Sequence, residues 1–62
     1  MIKDTGKILT ALRGNKSLQE VAAANGISTA ALKEYESGGR LPRDEVKTRL
    51  AKYYSCSIAE IF

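Results

Sequence analysis

Between Ser17 and Ser37 the chain reads SLQEVAAANGISTAALKEYES, and this stretch restricts the possible folds more than any other. Ser17 and Glu20 have the spacing of a capping box, in which the serine oxygen takes the Glu20 amide and the glutamate returns to the Ser17 amide. Leu18, Val21 and Ala22 then fall on one helical face, and Ala23 and Ala24 add propensity with little bulk. Asn25-Gly26 stops that helix. After Ile27 a second serine, Ser28, caps another helix running to about Glu36, with Leu32 and Tyr35 inward at i, i+3. Two short helices joined so tightly must cross steeply to pack. That crossing requires a small residue where they touch, Ala22, and one free to take positive φ in the turn, Gly26.

The remaining chain supplies three more pieces with helical rather than alternating periodicity. The first spans about Thr5 to Arg13, with Ile8, Leu9 and Leu12 on one face, and ends at Gly14-Asn15. The fourth starts near Arg43 or Asp44, after Gly38-Gly39 and Pro42, and places Val46, Leu50, Ala51 and Tyr54 on one stripe. Asp44 and Glu45 at its start, with Arg49 and Lys52 towards its end, suit the helix dipole. After a polar break at Ser55 comes a single turn, Ser57 to Phe62, with a second capping box in Ser57 and Glu60. The expected fold class is therefore all-α, a compact bundle of four to five short helices in one domain over residues 1–62.

A chain of 62 residues buries only about 60% of the surface its unfolded form exposes, so helix packing must supply nearly all the stability. One cysteine, Cys56, excludes an internal disulfide, and without any histidine no metal site is expected. Cys56 reads as a small buried hydrophobe. No nucleophile-base pair and no phosphate-cradling loop is recognisable, which argues against an enzyme, and no cofactor or small-molecule ligand is expected. No apolar run is long enough for a membrane span. The opening MIKDTGK lacks a signal-peptide core, so a cytoplasmic location is expected.

Ten basic residues against 7 acidic ones give a net charge of +3, a modest excess that suits a polyanionic partner. With Leu32 and Tyr35 inward, the third helix turns Thr29, Ala30, Lys33, Glu34 and Ser37 outward. The leading residues are small, so the backbone can approach a surface closely. A helix projected in this way fits the major groove of double-stranded DNA. There Thr29 can bond a base edge, Ala30 can offer a methyl contact, Lys33 can reach guanine or phosphate, and Glu34 can accept from the cytosine amine. Backbone contacts are expected from Lys16, Ser17, Gln19, Ser28, Ser37, Arg40 and Arg43, together with the free amides that open the second and third helices. The plainer alternative for the same side chains is a solvated helix surface, the role read for Lys3, Lys7 and Lys52.

Several motifs in order resemble the lambda-repressor-like, Cro/CI-type (XRE) helix-turn-helix family. Val21-Ala22 is similar to its Leu-Ala step, Gly26-Ile27-Ser28 to its Gly-Val-Ser turn, and Leu32 to its core aliphatic. Tyr35-Glu36-Ser37-Gly38 resembles the end of its recognition helix, followed by a basic loop and proline, here Arg40 and Pro42. SIAEIF at the end resembles its closing helix. The resemblance implies that Glu36 pairs with an arginine of the first helix, for which Arg13 is the candidate. Two departures stand out: Leu18 occupies the position of a phosphate-bracing glutamine, with Gln19 the nearest substitute, and Asp44, Lys47 and Thr48 replace more apolar residues.

The resemblance implies a sequence-specific transcriptional regulator of the repressor type, with helix 28–36 in the groove. A homodimer on a palindromic operator is expected, because a single module makes an interface of only about 600–1,000 Å². Tyr53, Tyr54, Ile58, Ile61 and Phe62 form the candidate dimer surface, the alternative being that they only cover the core. A second functional class remains open: a protein-protein module of the same fold, such as a repressor antagonist or an antitoxin. Leu18 and the mixed charge of Lys33 against Glu34 and Glu36 are the features that suggest it.

Overall fold

The computed structural model describes residues 4–62; Lys3 lies outside them. Five helices follow one another: α1 (Thr5–Arg13), α2 (Leu18–Ala24), α3 (Thr29–Ser37), α4 (Asp44–Tyr53) and α5 (Ile58–Ile61). No strand occurs among the described residues. Their starts follow local chemistry. Asp4, Ser17, Ser28 and Ser57 each accept a backbone amide three residues on, which satisfies one of the donors a helix start leaves open. The box at Ser57 and Glu60 is complete. At Ser17 only half of the expected box forms: its Oγ accepts from Glu20 N at 3.0 Å, without the return bond from the glutamate.

The helix ends share one device. In α2, α3 and α4 the last turn closes with an amide bonded to a carbonyl five residues back: Ile27 to Ala22 at 3.0 Å, Gly39 to Glu34 at 3.0 Å, and Cys56 to Ala51 at 2.9 Å. Each closure passes through a residue of positive φ, respectively Gly26 at 66°, Gly38 at 83° and Ser55 at 57°. This is the Schellman arrangement, in which that position favours a residue without Cβ. Two of the three sites meet the preference, and Ser55 does not.

The largest fully buried side chains are Leu9, Val21, Leu32, Leu50 and Ile61, which amounts to one aliphatic anchor from each helix. Burying such a side chain contributes about 1.5–3 kcal/mol, so a chain this short depends on every one. Ala22, Tyr35 and Ala51 complete the core, with Ile8, Leu12, Leu18, Ile27 and Val46 packed around it. Cys56 is half-buried, its Sγ 3.4 Å from the Tyr54 carbonyl. Ile61 has no exposed surface, which corrects its expected place on a dimer face. The closing turn is held against α1, where Thr5 Oγ1 donates to the Ile61 carbonyl at 2.9 Å, with the Ile61 side chain in the core.

Helix α1 lies directly against the end of α3. Gly6 is buried, and a Cβ there would collide with the Glu36 carbonyl and crowd the amide nitrogen of Gly38 at 3.2 Å. Both neighbours are backbone and cannot swing aside. Gly6→Ala should therefore destabilise the domain by about 1–3 kcal/mol, the usual cost of overpacking. Ser55→Gly should act in the opposite direction, by about 0.5–1 kcal/mol, as it relieves a side chain held at positive φ. Thermal unfolding followed by circular dichroism checks both, and equal signs for the two substitutions would contradict this account.

Candidate nucleic-acid interface

The α2–α3 pair packs through the residues that its sequence sets inward. Val21 and Ala22 on α2 are buried against Leu32 and Tyr35 on α3, and Gly26 carries the turn at positive φ. Asn25 is buried as well, with its side-chain amide bonded to the Val21 carbonyl at 2.8 Å. With the inner face occupied, Thr29, Ala30, Lys33, Glu34 and Ser37 all lie exposed. At the start of α3 the Ser28 hydroxyl accepts from Ala31 N at 3.0 Å. The amides of Thr29 and Ala30 precede any possible intrahelical acceptor and point outward with the positive end of the dipole.

The far end of α3 is held by an ion pair. Arg13 Nε donates to Glu36 Oε2 at 2.8 Å and Nη2 to Oε1 at 3.1 Å, a two-pronged fork. Thr10 Oγ1 stands 3.5 Å from Oε1, and Arg13 Nη1 donates onward to the Lys16 carbonyl at 2.8 Å. The Glu36 side chain is only 8% exposed. The fork raises the Arg13 guanidinium above its ordinary value, chiefly through these hydrogen bonds. Glu36 is therefore paired inside the fold and stands apart from the outward face, whose charges on α3 are Lys33 and Glu34.

Of the basic residues expected at DNA phosphates, two lean on aromatic rings. The Lys16 ammonium lies 4.8 Å from the centre of the Tyr53 ring and 3.4 Å from its hydroxyl. The Arg40 guanidinium sits 5.5 Å from the centre of Tyr35 and 3.9 Å from Glu34 Oε2. Bonding to Tyr35 first, and the Glu34 charge second, raise Arg40 above its ordinary value. Both members of the Glu34–Arg40 pair are more than half exposed, so it is a weak surface contact. Ser17, Gln19 and Arg43 are exposed near the α2 and α4 starts, while Ser37 Oγ bonds the Glu34 carbonyl at 3.0 Å. Leu18, at the glutamine position, packs partly onto the core.

The candidate dimer residues separate in the same way. Ile58 is 43% exposed, Tyr53 and Phe62 are half-buried, and Ile61 is core. Lys47 lies 5.6 Å from the centre of the Phe62 ring. Tyr54 packs edge-on to Tyr53 with ring centres 5.1 Å apart, and its hydroxyl is buried without a hydrogen-bond partner among the described residues. Two further features were not foreseen. Arg49, read only as a dipole-matching charge, bonds the Asn25 carbonyl at 3.2 Å. Leu41, between Arg40 and Pro42, is 67% exposed.

Among the described residues no helix is long and apolar enough to cross a membrane, and no group of His, Cys, Asp or Glu is placed to hold a metal ion. A protein-family model described as helix-turn-helix matches residues 9–61, most of the chain. No curated protein and no solved structure matches it.

The buried Tyr54 phenol gives a pH-dependent test. Burial first, and the Glu36 charge second, push its pKa up to about 12, while Arg13 pulls the other way. An unfolded tyrosine ionises near pH 10. The folded state therefore holds this proton more tightly, and the stability involved is complete below pH ~10 and lost as pH rises from ~10 to ~12. Tyr54→Phe should fold with equal or higher stability at pH 7, since it removes an unpartnered buried hydroxyl. It should also lose less stability between pH 9 and 11. Denaturant titrations across that range check both statements, and an unchanged alkaline loss would assign the titration to another group.

Proposed function

The chain belongs to the Cro/CI-type (XRE) helix-turn-helix family, a family of DNA-binding regulators, and from that premise we propose that it is a sequence-specific repressor acting as a homodimer in the cytoplasm. The observation that carries the reading is the exposed row on α3, with small Thr29 and Ala30 leading Lys33 and Glu34 on a helix held at its far end by Arg13. In this reading residues 28–36 enter the major groove, and those four side chains read base edges. Lys16, Ser17, Gln19, Ser28, Ser37, Arg40 and Arg43 bind the sugar-phosphate backbone, with Lys16 and Arg40 leaving their aromatic rests to do so. Dimerisation uses Tyr53, Tyr54, Ile58 and Phe62 around the buried Ile61, and spaces two half-sites about 34–36 Å apart.

The second reading, a module that binds protein rather than DNA, draws on the Glu34 carboxylate at the outward face and the apolar Leu18. Salt separates the two. Selection of duplexes from a random pool, followed by titration at several salt concentrations, should give a steep fall in affinity with salt. Arg40→Ala should lower the slope by about one, as expected for one lost phosphate contact. Lys33→Glu should weaken binding about tenfold or more, because it sets a carboxylate against the DNA. If the unsubstituted protein shows no salt-dependent binding to any duplex, the protein-partner reading replaces this one.

A further inference from the structure

We propose that Arg49 of α4 is a positioning residue for the recognition helix, acting through the carbonyl of Asn25 in the turn between α2 and α3. The inference rests on the DNA-binding reading above and adds to it a residue that contacts no base. The two residues are 24 apart in sequence, yet Arg49 Nη1 donates to the Asn25 carbonyl at 3.2 Å. A Cβ built on Gly26 would lie 3.4 Å from that same nitrogen. The guanidinium therefore reaches the turn at the residue pair that separates α2 from α3.

The donors of the turn are already committed, and the Asn25 carbonyl is the acceptor that Arg49 meets. The Asn25 amide bonds the Val21 and Ala22 carbonyls, and its side chain bonds Val21 again. Its carbonyl stands at the negative end of α2, and α2 has no basic residue in its own last turn. A cation is favoured there, and α4 provides it. Arg49 makes no ion pair among the described residues, so its interaction with the protein is directed at this end of α2. Its neighbours Leu50 and Ala51 are core, which fixes the stem of the arginine to the body of the domain.

Arg13 of α1 grips Glu36 at the far end of α3, and Arg49 of α4 bonds the turn that leads into it. The lever is sensitive. A nine-residue helix is about 13 Å long, so a 10° change where it leaves the turn moves its far end by about 2 Å. That shift is enough to break a hydrogen bond to a base edge.

Arg49→Met keeps the stem and removes the donor, whereas Arg49→Lys keeps a charged donor. Two measurements on the full chain are needed: amide hydrogen exchange at Gly26 and Ile27 compared with Leu32, and affinity for the selected duplex compared with a scrambled duplex of equal length. For Arg49→Met we expect exchange at Gly26 and Ile27 to quicken several-fold while Leu32 holds. Specific affinity should fall about three- to tenfold, with scrambled-duplex binding and the salt slope unchanged, as befits the loss of one ordinary intramolecular hydrogen bond. Arg49→Lys should recover much of both effects.

A parallel loss for both duplexes with a slope lower by about one would make Arg49 a phosphate contact and overturn the proposal. Uniformly faster exchange at all three amides would reduce it to general stabilisation and overturn it too. Unchanged exchange would show that the turn holds itself. If the unsubstituted chain binds no duplex, the DNA reading fails, and the exchange comparison alone decides whether Arg49 holds the turn.

Discussion

The fork between Arg13 and Glu36 is the contact on which the arrangement of the other elements depends. Glu36 lies near the end of α3 with little of its side chain exposed, and a carboxylate so placed is costly unless a partner of matched geometry meets it. Arg13 meets it with two parallel bonds, the arrangement in which arginine is strongest. The same guanidinium bonds the Lys16 carbonyl, so one side chain joins α1, the loop that leads to α2, and α3. Close approach at Gly6 makes the fork possible, since a side chain there would keep α1 away from the end of α3.

The aliphatic anchors act within that frame. With one fully buried aliphatic residue per helix, the core has little redundancy, and truncating any of them would remove about 2–5 kcal/mol. A single domain of this size has only about 5 kcal/mol or so in total. The repeated helix-ending closure serves the same economy, because it sends the chain onward from α2, α3 and α4 while satisfying carbonyls that a short helix leaves open. The strain accepted at Ser55 is the one place among the three where side chain and backbone disagree.

The outward face is governed by weaker forces. Glu34 and Arg40 hold each other at a distance and exposure where an ion pair contributes little. A phosphate competing for Arg40 would therefore displace little and would leave Glu34 free to accept a hydrogen bond. Lys16 on Tyr53 is in a comparable state. The inward half of α3 is buried in the core, and the side-chain pairs on its outward half are exposed surface contacts.

Much of this was legible along the chain. The serine caps, the glycine turn and the inward set Val21, Ala22, Leu32 and Tyr35 act over three or four residues, so local spacing determined all five helices and the faces by which α2 and α3 pack. The resemblance to a known family pointed to Arg13 as the partner of Glu36, although local pattern carries no sign of a bond spanning 23 positions. Three things were decided only by tertiary structure. Gly6 reads as a weak spot in a helix until the Glu36 carbonyl is seen beside it. Ile61 belongs to a helix of four residues, too short for periodicity to define a face, and it is buried where that turn packs on α1. Arg49 reads as a charge near a helix end, and its meeting with Asn25 follows from how α4 docks. The sequence alone determined the elements and their caps because those are short-range, stereochemical choices. Packing decided which buried charge is paired, which glycine is needed and which arginine holds the turn, because those contacts join residues far apart in the chain.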